Sequence, residues 1–137
     1  MNSRYERQPE FFIDRSLGKS IANGLRACGL TVHTMASVYG EKRAQRLADR
    51  VWLRDAGVNE WIVLTKDDAI RRRPAEREAL IEAGVRVFCL TSAQLRGAEQ
   101  TARFVENRHR MIRQARKPGP YIYGVYGGRI ARLWPKD

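Results

Sequence analysis

Apolar residues in this chain gather into short continuous runs, separated by stretches in which they recur every three or four positions, as expected for strands and helices in turn. Phe11-Phe12-Ile13 reads as a buried strand that ends on Asp14. Residues 17–28 then place Ile21, Leu25 and Cys28 at helical spacing, with Gly29 as the stop. A second strand is expected over 31–35. Tyr39-Gly40 reads as the turn into a helix over 41–56, with Ala44, Leu47, Ala48 and Val51 as its apolar stripe, Asp49 at the stripe's edge and Gly57 as its stop. Trp61-Ile62-Val63-Leu64-Thr65 is apolar throughout, like a central parallel strand covered on both faces, and Lys66-Asp67-Asp68 follows directly. Pro74 starts a helix that Gly84 ends, residues 85–90 form a fourth strand, and Thr91 or Ser92 caps a long helix reaching about residue 115. The tail, 121–133, reads as two strands around Gly127-Gly128, a hairpin.

Strands alternating with helices imply right-handed crossovers and a mostly parallel sheet flanked by helices, an α/β fold. Functional crevices of such sheets lie beyond the carboxyl ends of the strands, where the strand order reverses. If the second strand lies on one side of the first and the third on the other, Asp14 and Asp67 face each other across that crevice.

A length of 137 residues with 43% hydrophobic content suits one domain spanning 1–137. No run approaches the roughly 18 apolar residues of a membrane span, and the N-terminal stretch lacks the apolar core of a signal peptide, so a cytoplasmic location and no membrane partner are expected. Cys28 and Cys89 both lie in apolar contexts and read as reduced core residues. Neither they nor His33 and His109 show zinc-ligand spacing. The net charge of +11, rich in Arg, favours a polyanionic partner, although charge alone does not separate RNA from DNA or from an acidic protein.

Three carboxylates gathered in so basic a chain repel one another, a cost tolerated mainly where a divalent cation neutralises them. Oxygen-only ligands select Mg²⁺ or Mn²⁺, and such an ion supports phosphodiester hydrolysis without a protein nucleophile. Each acid also has a plainer reading: Asp14 as cap of the helix beginning near Leu17, Asp49 as a solvated helix residue, Asp67 as part of a turn.

The three motifs together resemble the PIN-like nucleases, in particular the VapC-type toxins of bacterial toxin–antitoxin pairs. Phe11-Phe12-Ile13-Asp14-Arg15-Ser16-Leu17 is similar to the opening that carries the family's first metal-binding acid, Ala48-Asp49-Arg50-Val51-Trp52-Leu53 to the helix bearing the second, and Trp61-Ile62-Val63-Leu64-Thr65-Lys66-Asp67 to the strand that ends Thr-x-Asp. The likeness continues through Arg71-Arg72-Arg73-Pro74-Ala75-Glu76 to Val87-Phe88-Cys89-Leu90, covering residues 11–95 and leaving a basic helix and hairpin over 96–137. It implies a PIN-like three-layer fold with a C-terminal β-hairpin, and an endoribonuclease using Mg²⁺ or Mn²⁺ on Asp14, Asp49 and Asp67. It also implies a cognate antitoxin protein as partner. Two departures stand out. The family often carries a fourth acid two residues after the third, where this chain has Ala69 and only Asp68 could substitute as a metal ligand. Arg15 also follows Asp14 where members often carry an acid.

Arg15, Lys66, Arg71, Arg72 and Arg73 are the candidate RNA contacts beside the acids. The basic run 103–117 with Tyr121, Tyr123 and Tyr126 could stack on RNA bases, or dock the antitoxin or a second subunit of a homodimer. Two other readings compete: a PIN-like nucleic-acid or protein-binding module without catalysis, motivated by Ala69, and a flavodoxin-like phosphoacceptor module. The latter would want a Lys ending a late strand, which residues 85–90 lack.

Overall fold

The computed structural model describes residues 8–92 and 95–136. One six-stranded sheet runs in the order β2-β1-β3-β4-β5-β6, with β1 Glu10–Ile13, β2 Thr31–Thr34, β3 Ile62–Thr65, β4 Arg86–Leu90, β5 Tyr121–Tyr126 and β6 Arg129–Trp134. Neighbours from β2 to β5 pair in parallel, and β6 turns back antiparallel on β5 to close the expected hairpin.

The two-residue period of a strand explains the layers. Phe11, Ile13, Ile62, Leu64, Phe88 and Leu90 face one way, into a core closed by Ile21 and Leu25 of α1 (Lys19–Ala27), Phe104 of α6 (Gly97–Glu106) and Met111 of α7 (Arg108–Gln114). Phe12, Val63, Val87 and Cys89 face the other way, against Met35 of α2 (Met35–Tyr39), Ala44 of α3 (Glu41–Arg46), Trp52, Leu53 and Ala56 of α4 (Asp49–Val58) and Leu80 of α5 (Pro74–Ala83). Apolar runs without alternation are thus strands buried on both faces.

Several expected elements are divided or moved. The helix expected over 41–56 is two, α3 and α4, because Leu47 and Ala48 take extended backbone angles. The Arg15 guanidinium donates to the Leu47 carbonyl at 2.5 Å, giving that interrupted turn a partner. The apolar stripe restarts at Trp52, and Asp49 becomes the first residue of a helix rather than a mid-helix one. Gly57 does not stop α4. It lies inside the helix, where the absence of a side chain lets α4 press on Ala83 of α5. α2 was not expected; Thr34 and Ser37 form a reciprocal capping box there, a Thr-x-x-Ser signal legible in the sequence.

The long helix toward residue 115 is likewise broken, at Asn107. Its fully buried amide donates to the carbonyls of Arg103 and, on β5, Tyr126. Thr91 caps nothing, since its hydroxyl donates to the Val125 carbonyl and α6 begins only at Gly97. Cys89 is buried, as expected, but Cys28 is exposed: α1 ends at Ala27, so the apolar spacing that would turn Cys28 inward stops one residue short. Among the described residues no helix is long and apolar enough to cross a membrane.

Candidate active site

Parallel pairing sets Ile13 of β1 beside Leu64 of β3, so the next residues, Asp14 and Thr65, leave the sheet together at its carboxyl edge. β2 lies beyond β1 and β4 beyond β3, placing this pair at the reversal of strand order. The Asp14 side chain is buried, at 5% exposure. Its Oδ2 accepts from the Thr65 hydroxyl at 2.7 Å, and its Oδ1 accepts from the Ser16 backbone N–H at 3.0 Å and from the Ser16 hydroxyl. Burial is the dominant influence and pushes the Asp14 carboxyl above its ordinary range; the bonds from Ser16 and Thr65 oppose that rise, and nearby Asp67 adds to it. Asp14 does not cap α1, whose N-terminal position is Gly18 with no side-chain cap.

Thr65 joins the first acid to the third. While donating to Asp14, its oxygen accepts the Asp67 backbone N–H at 2.9 Å. Asp67 in turn accepts from the Ala69 N–H at 3.1 Å, so the turn reading of Asp67 describes its backbone role. Position 69, where an acid is missing, contributes a peptide donor instead. Asp49 sits in the first turn of α4, where the helix dipole favours a negative charge. Its Oδ1 accepts from the Trp52 indole at 2.9 Å, and that ring stacks on Phe12 of β1 at 5.4 Å. It is not a solvated helix residue; β1 itself, through Phe12 and Trp52, positions it.

Asp49 and Asp67 meet on one cation, Arg73. The guanidinium lies 2.9 Å from Asp67 Oδ2, 3.6 Å from Asp49 Oδ2 and 3.7 Å from Glu76 Oε1. The bond to Asp67 is the first reason Arg73 holds its proton even more firmly than usual. Asp68 turns away from this group, half-exposed, toward Arg71 at 3.9 Å and Arg72 at 3.4 Å. The arginine triplet therefore divides, with Arg73 among the acids and Arg71 and Arg72 beside Asp68. Ser16, Thr65 and Glu76 were not singled out as site residues from the sequence. Glu76 was detectable as an acid three positions after Arg73 in the first turn of a Pro-started helix.

The donors here are carboxylate and hydroxyl oxygens, a set that fits a hard divalent cation such as Mg²⁺ or Mn²⁺. Among the described residues no three His, Cys, Asp or Glu side chains already stand close enough to hold one ion, and Asp49, Asp67 and Glu76 are gathered instead around the Arg73 guanidinium. Cys89 lies beneath them, but burial pushes its thiol up to about 12, with Asp68, Asp14 and Asp67 adding to the rise, so it stays protonated and is no nucleophile at neutral pH.

Of the C-terminal tyrosines, Tyr121 is buried and donates to the Gln114 and Lys117 carbonyls, while Tyr123 packs on Phe88 and Tyr121. Both are used inside the fold. Tyr126 carries the Arg129 guanidinium over its ring at 4.1 Å.

If the Thr65 hydroxyl binds the site together, Thr65→Val leaves the Asp67 N–H and one Asp14 oxygen short of a partner in a fully buried position. The expected cost is about 1–2 kcal/mol, read as a lower urea midpoint with an unchanged slope.

A parallel sheet with helices on both faces, carrying acids at the ends of β1 and β3 and at the start of α4, is the arrangement of a PIN-like domain, and the chain belongs to that family: the family model described as "PIN like domain" matches residues 9–92. Among curated proteins, the chain is 37% identical over 123 residues to "Putative ribonuclease VapC45" of Mycobacterium tuberculosis (strain ATCC 25618 / H37Rv), a match covering 89% of each chain. No solved structure matches significantly.

Proposed function

We propose that this protein is a metal-dependent endoribonuclease, the toxin of a toxin–antitoxin pair acting in the cytoplasm, with Asp14, Asp49 and Asp67 holding Mg²⁺ or Mn²⁺. The observation that carries this reading is the junction of Asp14 and Asp67 through one hydroxyl, at the reversal of strand order. The name of the mycobacterial relative supports RNA as substrate and an antitoxin as partner.

When bound in such a setting, a divalent ion supplies water activation and neutralisation of phosphate charge. The chain's own residues supply the rest. Ser16 and Thr65 fix both oxygens of Asp14, so this carboxylate reaches an ion already oriented. Trp52 fixes one oxygen of Asp49, Oδ1. Burial disfavours charge on Asp14 until a cation stands beside it.

Arg71 and Arg72, with Arg15 and Lys66 at the mouth, are the proposed track for the RNA backbone. His109, Arg110, Arg113, Arg116 and Lys117 present a second exposed basic surface, suited to the antitoxin or to a second copy of the chain.

Purified protein is expected to cut single-stranded RNA with Mn²⁺ or Mg²⁺ and to stop on chelation; cleavage that persists in EDTA overturns the metal reading. Arg71→Ala/Arg72→Ala is expected to flatten the dependence of RNA affinity on salt by roughly 0.7 in log–log slope for each phosphate left without its arginine. An unchanged slope removes these arginines from the track.

A further inference from the structure

Arg73 has an unusual position for a residue expected to grip RNA. Rather than facing solvent, it points its charge at three carboxylates from three elements: Asp49 of α4, Asp67 of the turn after β3, and Glu76 of α5. A planar guanidinium presents several donors in a fixed fork, so it can serve all three at once. Three carboxylates gathered this closely would otherwise repel one another. The side chain is nevertheless 41% exposed and hangs from the residue just before Pro74, so it can swing to solvent without opening a cavity in the core.

We propose that Arg73 is a built-in counter-cation: it holds Asp49, Asp67 and Glu76 in place and yields that position when a divalent ion binds. This rests on the metal-dependent reading above and adds a positioning residue to it. Among the described residues no three of these acids already stand close enough together to hold one ion, so a divalent ion would have to draw them inward as Arg73 leaves. Metal affinity is then set by competition. It is lower than the acids alone would give, and in exchange the site stays assembled when metal is scarce. Glu76 has a defined part, as the third anchor that keeps Arg73 over the site.

The test measures binding, apart from RNA cleavage. Mn²⁺ affinity by calorimetry is expected to rise about tenfold in Arg73→Gln. Arg73→Lys, which keeps the charge but loses the fork, is expected to fall between Gln and wild type. In wild-type protein, the Arg73 Nε–H signal in ¹⁵N NMR is expected to shift on saturation with diamagnetic Mg²⁺. An Arg73→Gln affinity equal to or below that of wild type overturns the proposal, as does an Nε–H signal unmoved by Mg²⁺ while the protein demonstrably binds it. Absence of metal binding in both wild type and Arg73→Gln overturns the metal reading itself, and this proposal with it. Binding that responds to neither Arg73 substitution sinks only the role of Arg73.

Discussion

Asp14→Asn is expected to lower RNA cleavage about a thousandfold, equivalent to roughly 4 kcal/mol, while raising the melting temperature at neutral pH. The two effects have one cause. Asp14 is 5% exposed, and burial lifts its pKa above the ordinary 3.8, so folding at neutral pH works against an ionised carboxylate. An amide of the same shape keeps an acceptor for the Ser16 N–H and offers a donor to the Thr65 oxygen, without the buried charge. The sign with pH follows. A group whose pKa is raised by folding contributes stability that is fully present below its unfolded pKa and is lost as pH rises through the folded one. The difference between wild type and Asp14→Asn should therefore be least favourable to the variant below about pH 3.8, and the variant should gain its advantage as the pH climbs. Thermal melts from acid to neutral pH in EDTA check this. A variant that is both inactive and less stable at neutral pH would mean that Asp14 is a structural acid held by its hydrogen bonds.

The second large effect is expected at Gly57, where two forces oppose each other. Helix propensity alone favours Ala over Gly inside α4 by about 1 kcal/mol. A Cβ there, however, would stand 2.4 Å from both the Cβ and the carbonyl oxygen of Ala83, closer than such atoms pack, and the backbone of α5 would have to move. Overpacking of this kind costs about 1–3 kcal/mol or more. The contact should win, giving Gly57→Ala a net loss of about 2 kcal/mol and a melting temperature lower by about 8 °C. A more stable Gly57→Ala protein would show that the helices are free to separate there.

These two positions also show what could be read from the sequence. The strands were legible because strands buried on both faces leave apolar runs, and Asp14 and Asp67 could be placed because each follows such a run directly. The reversal of strand order between β1 and β3 then brought them together as expected. Features set by contacts distant in sequence were not legible. The break between α3 and α4 is held by a side chain thirty-two residues earlier, Arg15, and the break at Asn107 by a carbonyl on β5. Gly57 looks like a helix stop because its real reason, the approach of Ala83, lies on another helix.

The candidate site divides in the same way. Asp14 and Asp67 followed from topology, and Asp49 mainly from resemblance to the family. Asp68 proves to be paired with Arg71 and Arg72, whereas Asp49 and Asp67 share Arg73. The opposite roles of Arg73 and its two neighbours could not be separated, because three adjacent arginines look alike until the 3-10 turn Asp68–Arg72 and the start of α5 point them in different directions.

The most direct test of the central claim is an anomalous difference map from crystals of the full chain soaked in Mn²⁺, collected at the manganese edge. The expected result is a peak bounded by Asp14, Asp49 and Asp67, with the Arg73 guanidinium moved off Asp67. A peak at Asp68, or no peak near Asp14 in crystals that bind manganese elsewhere, would contradict it.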